Sequence, residues 1–181
     1  MFKGTSASAG IGIGKAVIVE EAELVITRNE VADAEAEIQR FKGALEKTIA
    51  ATQKMADDLA SRVGEKEAEI MQGHMMLLSD PMLTGEIENS VKNDKVNCEF
   101  AIENVCNMYA DMFASMGDEL MQQRATDMRD IKVRMQRTLM GLESVDVSLL
   151  PKGSILVAKD LTPSMTAGIN PENVSGIVTE L

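Results

Sequence analysis

Residues 154–178 read SILVAKDLTPSMTAGINPENVSGIV. Two short runs, Ser154-Ile-Leu-Val-Ala158 and Val174-Ser-Gly-Ile-Val178, flank a helix start at Thr162-Pro163-Ser164. Apolar, β-branched runs bounded by turn residues read as strands, and proline in a first helical turn is a helix-opening signal. The rhythm is β-α-β. Two strands and one short helix cannot bury a core of their own. They need another strand, and the candidate lies far upstream, at Lys15-Ala-Val-Ile-Val-Glu20. Everything between then reads as an insertion, and the chain is expected to be a piece whose α/β part continues past Leu181.

The inserted stretch is helical throughout. Ile38, Phe41, Leu45, Thr48, Thr52, Met55 and Leu59 recur at spacings of three and four up to Gly64, the period of an amphipathic helix. A second helix covers Glu65 to Leu78 and carries Ile70, His74, Leu77 and Leu78. Asp80-Pro81 is an N-cap followed by a first-turn proline, opening a helix with Leu83, Ile87 and Val91 on one face. Asn97 opens the next, with Ala101, Val105, Met108, Met112 and Met116 expected in register. The last runs from about Asp118 through Leu120, Arg124, Met128, Ile131, Met135 and Leu139 to Gly141. Brief links between amphipathic helices predict an antiparallel bundle, and the breaks at Gly64, Asp80-Pro81 and Gly117 disfavour one long coiled coil. The predicted class is α+β, with three segments: 1–21 (first strand region), 22–146 (helical bundle) and 147–181 (the remaining α/β part).

Composition narrows the function. In 181 residues, hydrophobics reach 45% and charged residues 26%, as in a folded globular chain. Aromatics are 3%, with no Trp, while Met numbers 14, so Leu, Ile, Val, Ala and Met must fill the core. Eighteen Lys and Arg against 29 Asp and Glu give a net charge of -11. Such a chain lacks the basic footprint of a nucleic-acid binder and is repelled by anionic lipid, but it attracts a basic partner protein. Cys98 and Cys106, eight apart on one helix, stand about 12 Å apart at ~1.5 Å per residue, too far to pair with each other. Two thiols and one histidine do not make a Cys/His zinc site. Neither a leader nor an apolar run of 18 is visible, which predicts a cytoplasmic location.

Three local features invite functional readings. Gly10-Ile-Gly12-Ile-Gly14-Lys15 fails as a phosphate-binding loop, because Ala9 stands where a glycine is required and Ala16 offers no hydroxyl to magnesium. It fails as a dinucleotide fingerprint too, because a strand follows rather than a helix. Turns or close backbone approach at a strand start explain it better. His74 alone reads as a partly buried helical histidine. With Gly73, Met75 and Met76 beside Glu65, Glu67 and Glu69, however, it marks a flexible apolar patch suited to a partner ringed by positive charge. Asp160-Leu-Thr-Pro-Ser164 is an ordinary helix start that would also suit a neighbouring phosphate.

In this order, the motifs resemble those of the phosphoenolpyruvate-protein phosphotransferases of the bacterial sugar phosphotransferase system, the enzyme I family. Gly4-Thr-Ser-Ala-Ser-Ala-Gly10-Ile-Gly-Ile-Gly14-Lys-Ala16 is similar to the family's opening. Glu69-Ile-Met-Gln-Gly73-His74-Met-Met-Leu-Leu78 resembles the helix that meets the phosphocarrier protein HPr. Asp118-Glu119 through Arg124-Ala125 and Asp127-Met-Arg129-Asp130 resembles the start of its long last helix. Asp160-Leu-Thr-Pro-Ser164 resembles the segment beside the phosphohistidine. The resemblance covers essentially the whole chain. It departs from the family at Pro81 and Met82, where acidic residues are common, and in the charge order at Lys66 and Glu67.

The resemblance implies a helical HPr-binding bundle inserted into an α/β phosphohistidine domain. It implies transfer of a phosphoryl group from phosphoenolpyruvate to a histidine and on to HPr. The phosphoacceptor histidine, in a Gly-Gly-x-Thr-Ser-His motif, is expected just beyond Leu181, with Thr166 as its hydroxyl neighbour. No catalytic histidine is then expected here, and the chain is expected to bind HPr without being phosphorylated. The implied HPr contact comprises Glu65, Ile70, Gly73, His74, Met76, Leu77, Leu83 and Arg124. Magnesium and phosphoenolpyruvate belong by the same resemblance to a C-terminal barrel, which also makes the full-length homodimer; this chain is expected to be a monomer. Two alternatives stay open. One is a sibling phosphoenolpyruvate-using enzyme (a nitrogen-branch enzyme I or a pyruvate phosphate dikinase). The other is a non-catalytic helical adaptor, which leaves the β-α-β part unexplained.

Overall fold

Local capping fixes where the helices of the bundle begin. The computed structural model describes residues 4–180, so Met1–Lys3 and Leu181, the outer ends of the predicted first and third segments, lie outside the described residues. Asp33 heads α1 (Ala34–Arg62), its carboxylate accepting the Ala36 N–H at 3.0 Å. Helix α2 (Glu65–Leu78) follows after a break at Gly64. Asp80 accepts the Met82 N–H at 2.8 Å to open α3 (Pro81–Asp94), and Asp118 accepts the Leu120 N–H at 2.9 Å to open α5 (Glu119–Met140). Each cap satisfies a backbone donor that has no partner in a first helical turn. Asn97 precedes α4 (Cys98–Ser115) without capping it. Its side chain instead accepts the Asn29 N–H and donates to Glu99, tying the approach segment to the helix.

These helices bury Ile38, Phe41, Leu78, Leu83, Ile87, Ile102, Met128, Ile131 and Met135 in one core. On α4 the expected register is corrected. Met108, Met112 and Met116 are exposed, and the buried stripe runs through Ala101, Ile102, Val105, Cys106 and Ala110, with Tyr109 and Phe113 packed beside it. A helical face continued from Ile102 at 3.6 residues per turn passes through Cys106 and Ala110 and leaves the methionines outside. One ionic knot joins α1 to α4: the Arg40 guanidinium donates to Glu37 and to Glu99, while the Cys98 N–H donates to Glu37 at 2.8 Å.

The sheet is three-stranded and parallel, in the order β1 (Lys15–Val19), β2 (Ser154–Ala158), β3 (Val174–Thr179). Lys15 pairs with Ser154 and Val19 with Ala158, so the upstream strand does complete the downstream pair. Ser154, Leu156 and Ala158 of the middle strand are buried, the alternation of a half-covered strand. Gly14 is required where it stands, because a Cβ there would collide with the Gly153 carbonyl. The Lys15 N–H donates to that same carbonyl at 3.0 Å.

The chain divides into two compact units. The sheet unit takes the chain up to Glu21, Val145–Leu161 and the stretch from Ile169 on; the helical unit takes Ala22–Ser144 and Thr162–Gly168. The segment 162–168, expected with the sheet, thus groups with the helices. The reason is specific bonding by α6 (Pro163–Gly168). The Ser164 N–H and hydroxyl both donate to the Asp130 carboxylate, at 2.7 and 2.8 Å. Arg62 donates to the Ala167 carbonyl, and Ala167 packs with Ala56, Leu59 and Met71.

Candidate partner-docking site

Helix α2 has two unlike faces. Ala68, Met71, Gly73, His74 and Leu78 are buried, whereas Glu65, Glu69, Ile70 and Met76 face solvent. Ile70 is 52% exposed and Met76 64%, large values for apolar side chains of that size. Leu77 is half-buried, packed against the edge of the main core.

Beside Ile70 lies a groove of about 390 Å³, lined by Glu69, Ile70, Leu120, Arg124, Asp127 and Pro163 among others. Arg124, on the second turn of α5, reaches across Gly73, where a Cβ would collide with its guanidinium. Arg124 also donates to Asp127, one helical turn on, at 3.4 Å. The groove thus combines an apolar floor with a held cation and neighbouring carboxylates, a surface able to take an apolar side chain and orient a charged rim.

His74 is completely buried. Its Nε2 lies 3.2 Å from Asp127 Oδ1 and its Nδ1 3.9 Å from Asp130 Oδ2. Two of the expected contact residues are therefore corrected: neither His74 nor Leu83, also in the interior, presents a surface to a partner. The helical period explains both, since His74 shares the inward face of α2 with Met71 and Leu78, and Leu83 that of α3 with Ile87 and Val91. Gly73 is buried as well and acts by admitting Arg124. Glu65, Ile70, Met76, Leu77 and Arg124 retain some exposure. Leu120, Asp127 and Pro163 were not anticipated at this groove. The Arg124–Asp127 spacing of three was the available signal, while Pro163 joins only through the fold. Thr166 is exposed, its hydroxyl donating to the Thr162 carbonyl at 3.0 Å.

Among the described residues, no group of three or more His, Cys, Asp or Glu side chains could hold a metal ion. No helix among them is long and apolar enough to cross a membrane.

Residues 3–124 match the N-terminal region of PEP-utilising enzymes, and residues 150–181 match the mobile domain of the same enzymes. The chain is 38% identical over 180 residues to the phosphoenolpyruvate-protein phosphotransferase of Bacillus subtilis (strain 168), and 40% identical to that of Listeria monocytogenes. Each match covers 99% of this chain and 32% of the relative, so the chain spans about a third of their length. A solution NMR structure of enzyme I (nEIt) superposes with a TM-score of 0.89 at 36% identity, covering 99% of this chain and 73% of that one. An N-terminal domain of nitrogen enzyme 1 gives 0.68 at 25% identity, covering 94% and 70%.

Proposed function

Because the chain belongs to the PEP-utilising enzyme family and is homologous to the N-terminal region of enzyme I, we propose that its helical unit is the docking module for the phosphocarrier protein HPr. The observation that carries this reading is the solvent-facing side of α2. Ile70 and Met76 stand open beside Glu65 and Glu69, next to the groove that holds Arg124. An apolar centre supplies most of the binding energy in such contacts, and a charged rim mainly speeds encounter. The net charge of -11 favours a basic partner.

In this reading the phosphoenolpyruvate reaction, its magnesium and the homodimer contact belong to the parts of the relatives that this chain does not match, and the region itself is a monomer. His74 serves the fold rather than phosphoryl transfer. An imidazole that exchanges phosphate between proteins must meet donor and acceptor in line, whereas His74 has no exposed surface.

Titration calorimetry with cognate HPr tests the proposal. Ile70→Ala and Met76→Ala should each weaken binding by roughly 1–3 kcal/mol, the range for a central contact. Glu65→Lys should act mainly through the on-rate and fade with salt, since exposed charges are screened beyond about 8 Å at physiological ionic strength. No heat of binding with wild-type protein rejects the reading. Acid-labile label on His74 after incubation with phosphorylated HPr rejects the structural role of that histidine.

A further inference from the structure

Docking makes no use of His74 and Asp130, buried behind the α2 face. His74 is joined to α5 through Asp127 at 3.2 Å and faces Asp130 at 3.9 Å. Its Nδ1 is buried and makes no hydrogen bond among the described residues. Asp130 is the carboxylate that holds α6, one oxygen accepting the Ser164 N–H and the other its hydroxyl. The only histidine of the chain therefore stands next to the group that attaches Thr162–Gly168 to the helical unit.

The remaining charges around the cluster are few. From α5 come Arg124, bonded to Asp127, and Arg134, whose Nη2 donates to the Thr52 hydroxyl and whose charge acts on Asp130. From α1 comes Arg62, bonded to the Ala167 carbonyl. Helix α6 carries no titratable side chain. Two carboxylates and two nearby guanidinium groups balance when the imidazole is neutral. Its Nε2–H then donates to Asp127, and the Nδ1 lone pair is left beside the Asp130 carboxylate with no donor between them. A buried acceptor without a donor is costly, because it has given up water and gained no partner. A proton taken from water onto Nδ1 turns this acceptor into a charged donor, placed between two carboxylates.

We infer that His74 is a proton-operated brace for α6: protonation at Nδ1 ties α2 to Asp130 and tightens the Asp130–Ser164 clasp, and loss of that proton loosens it. By linkage, whatever factor the bound proton adds to the closed clasp, the closed clasp adds to the affinity for the proton. The brace is firm when the imidazole is protonated and slack when it is neutral. The segment so controlled is 162–168, which also contains Thr166.

One histidine means one set of imidazole signals. The test is a pH titration of the full chain by nitrogen-15 NMR, following the His74 ring together with the Ser164, Thr166 and Ala167 amides. The Ser164 amide shift is expected to move with the same midpoint as the ring. Exchange protection at Ser164–Ala167, corrected for the intrinsic rate, is expected to fall about tenfold from the acid to the alkaline side, the size of one charged hydrogen bond. In His74→Gln, which keeps a donor for Asp127 but takes up no proton, the Ser164 response over this range should vanish. A Ser164 amide that stays still through the ring titration overturns the inference. So does one that follows only a carboxylate midpoint below it, or one whose response survives in His74→Gln. The wild-type comparison decides even if the variant does not fold.

Discussion

A methyl group added at Gly73 would meet the Arg124 guanidinium, which lies across α2 because the backbone there carries no Cβ. The guanidinium is the far end of a flexible side chain, so Gly73→Ala should leave the fold intact while displacing Arg124 from its place beside Asp127. The expected outcome is an unchanged circular-dichroism spectrum with HPr affinity reduced by about threefold to tenfold, the modest effect of moving one residue of a docking surface. Unchanged affinity would remove Arg124 from the contact. The cysteines give a second prediction at this scale. Burial pushes both thiols up to about 12, and at Cys98 the neighbouring Glu37 charge adds to it. A thiol must ionise to react, so neither should react with a thiol reagent at neutral pH until the chain unfolds. Rapid labelling of the native protein contradicts the buried positions. The cysteine spacing was readable without the fold; their inertness was not, because it depends on what packs around them.

Among elements, what could be read from the chain is what is decided locally. Asp33, Asp80 and Asp118 each cap a helix with a bond reaching two or three residues ahead, so the starts of α1, α3 and α5 needed no tertiary knowledge. The sheet was legible for a related reason, since Lys15–Val19 and the two downstream runs carry the residues of strands. The face of α4 was not. Met108, Met112 and Met116 repeat at four residues and are apolar, yet the tertiary contacts select Ile102, Cys106 and Ala110. The allegiance of α6 was not legible either, because it depends on Asp130, 34 residues before Ser164. The strand junction offers a test. Gly14→Ala forces a Cβ against the Gly153 carbonyl and should destabilise the sheet unit by roughly 1–3 kcal/mol, the usual cost of overpacking. Amide exchange should accelerate in Lys15–Val19 and Ser154–Ala158 and stay unchanged in α1–α5. Equal exchange in both proteins contradicts the close approach.

At the scale of the molecule, a surplus of acid coexists with carboxylates that the helical unit uses structurally. Burial pushes Glu37, Glu99 and Glu103 upward, but hydrogen bonds and charge outweigh it: Arg40 at Glu37 and Glu99, and Gln136, Lys132 and Asn107 at Glu103. All three are held below the ordinary value of 4.5. A carboxylate depressed in the folded state stabilises the fold above its unfolded value, and that contribution is lost as pH falls through the folded one. Thermal melting should therefore move to lower temperature as pH drops below about 4.5, and Arg40→Met should flatten that dependence. A wild-type melting temperature indifferent to pH in that window contradicts the ionic knot between α1 and α4.

The docking claim is tested most directly by chemical-shift mapping of the full chain titrated with cognate HPr. The expected result is perturbation centred on Ile70, Met76, Leu77, Leu120 and Arg124, with the buried His74 and Leu83 moving less than these neighbours. Perturbation confined to α1, with Ile70, Met76 and Arg124 unmoved, would contradict it.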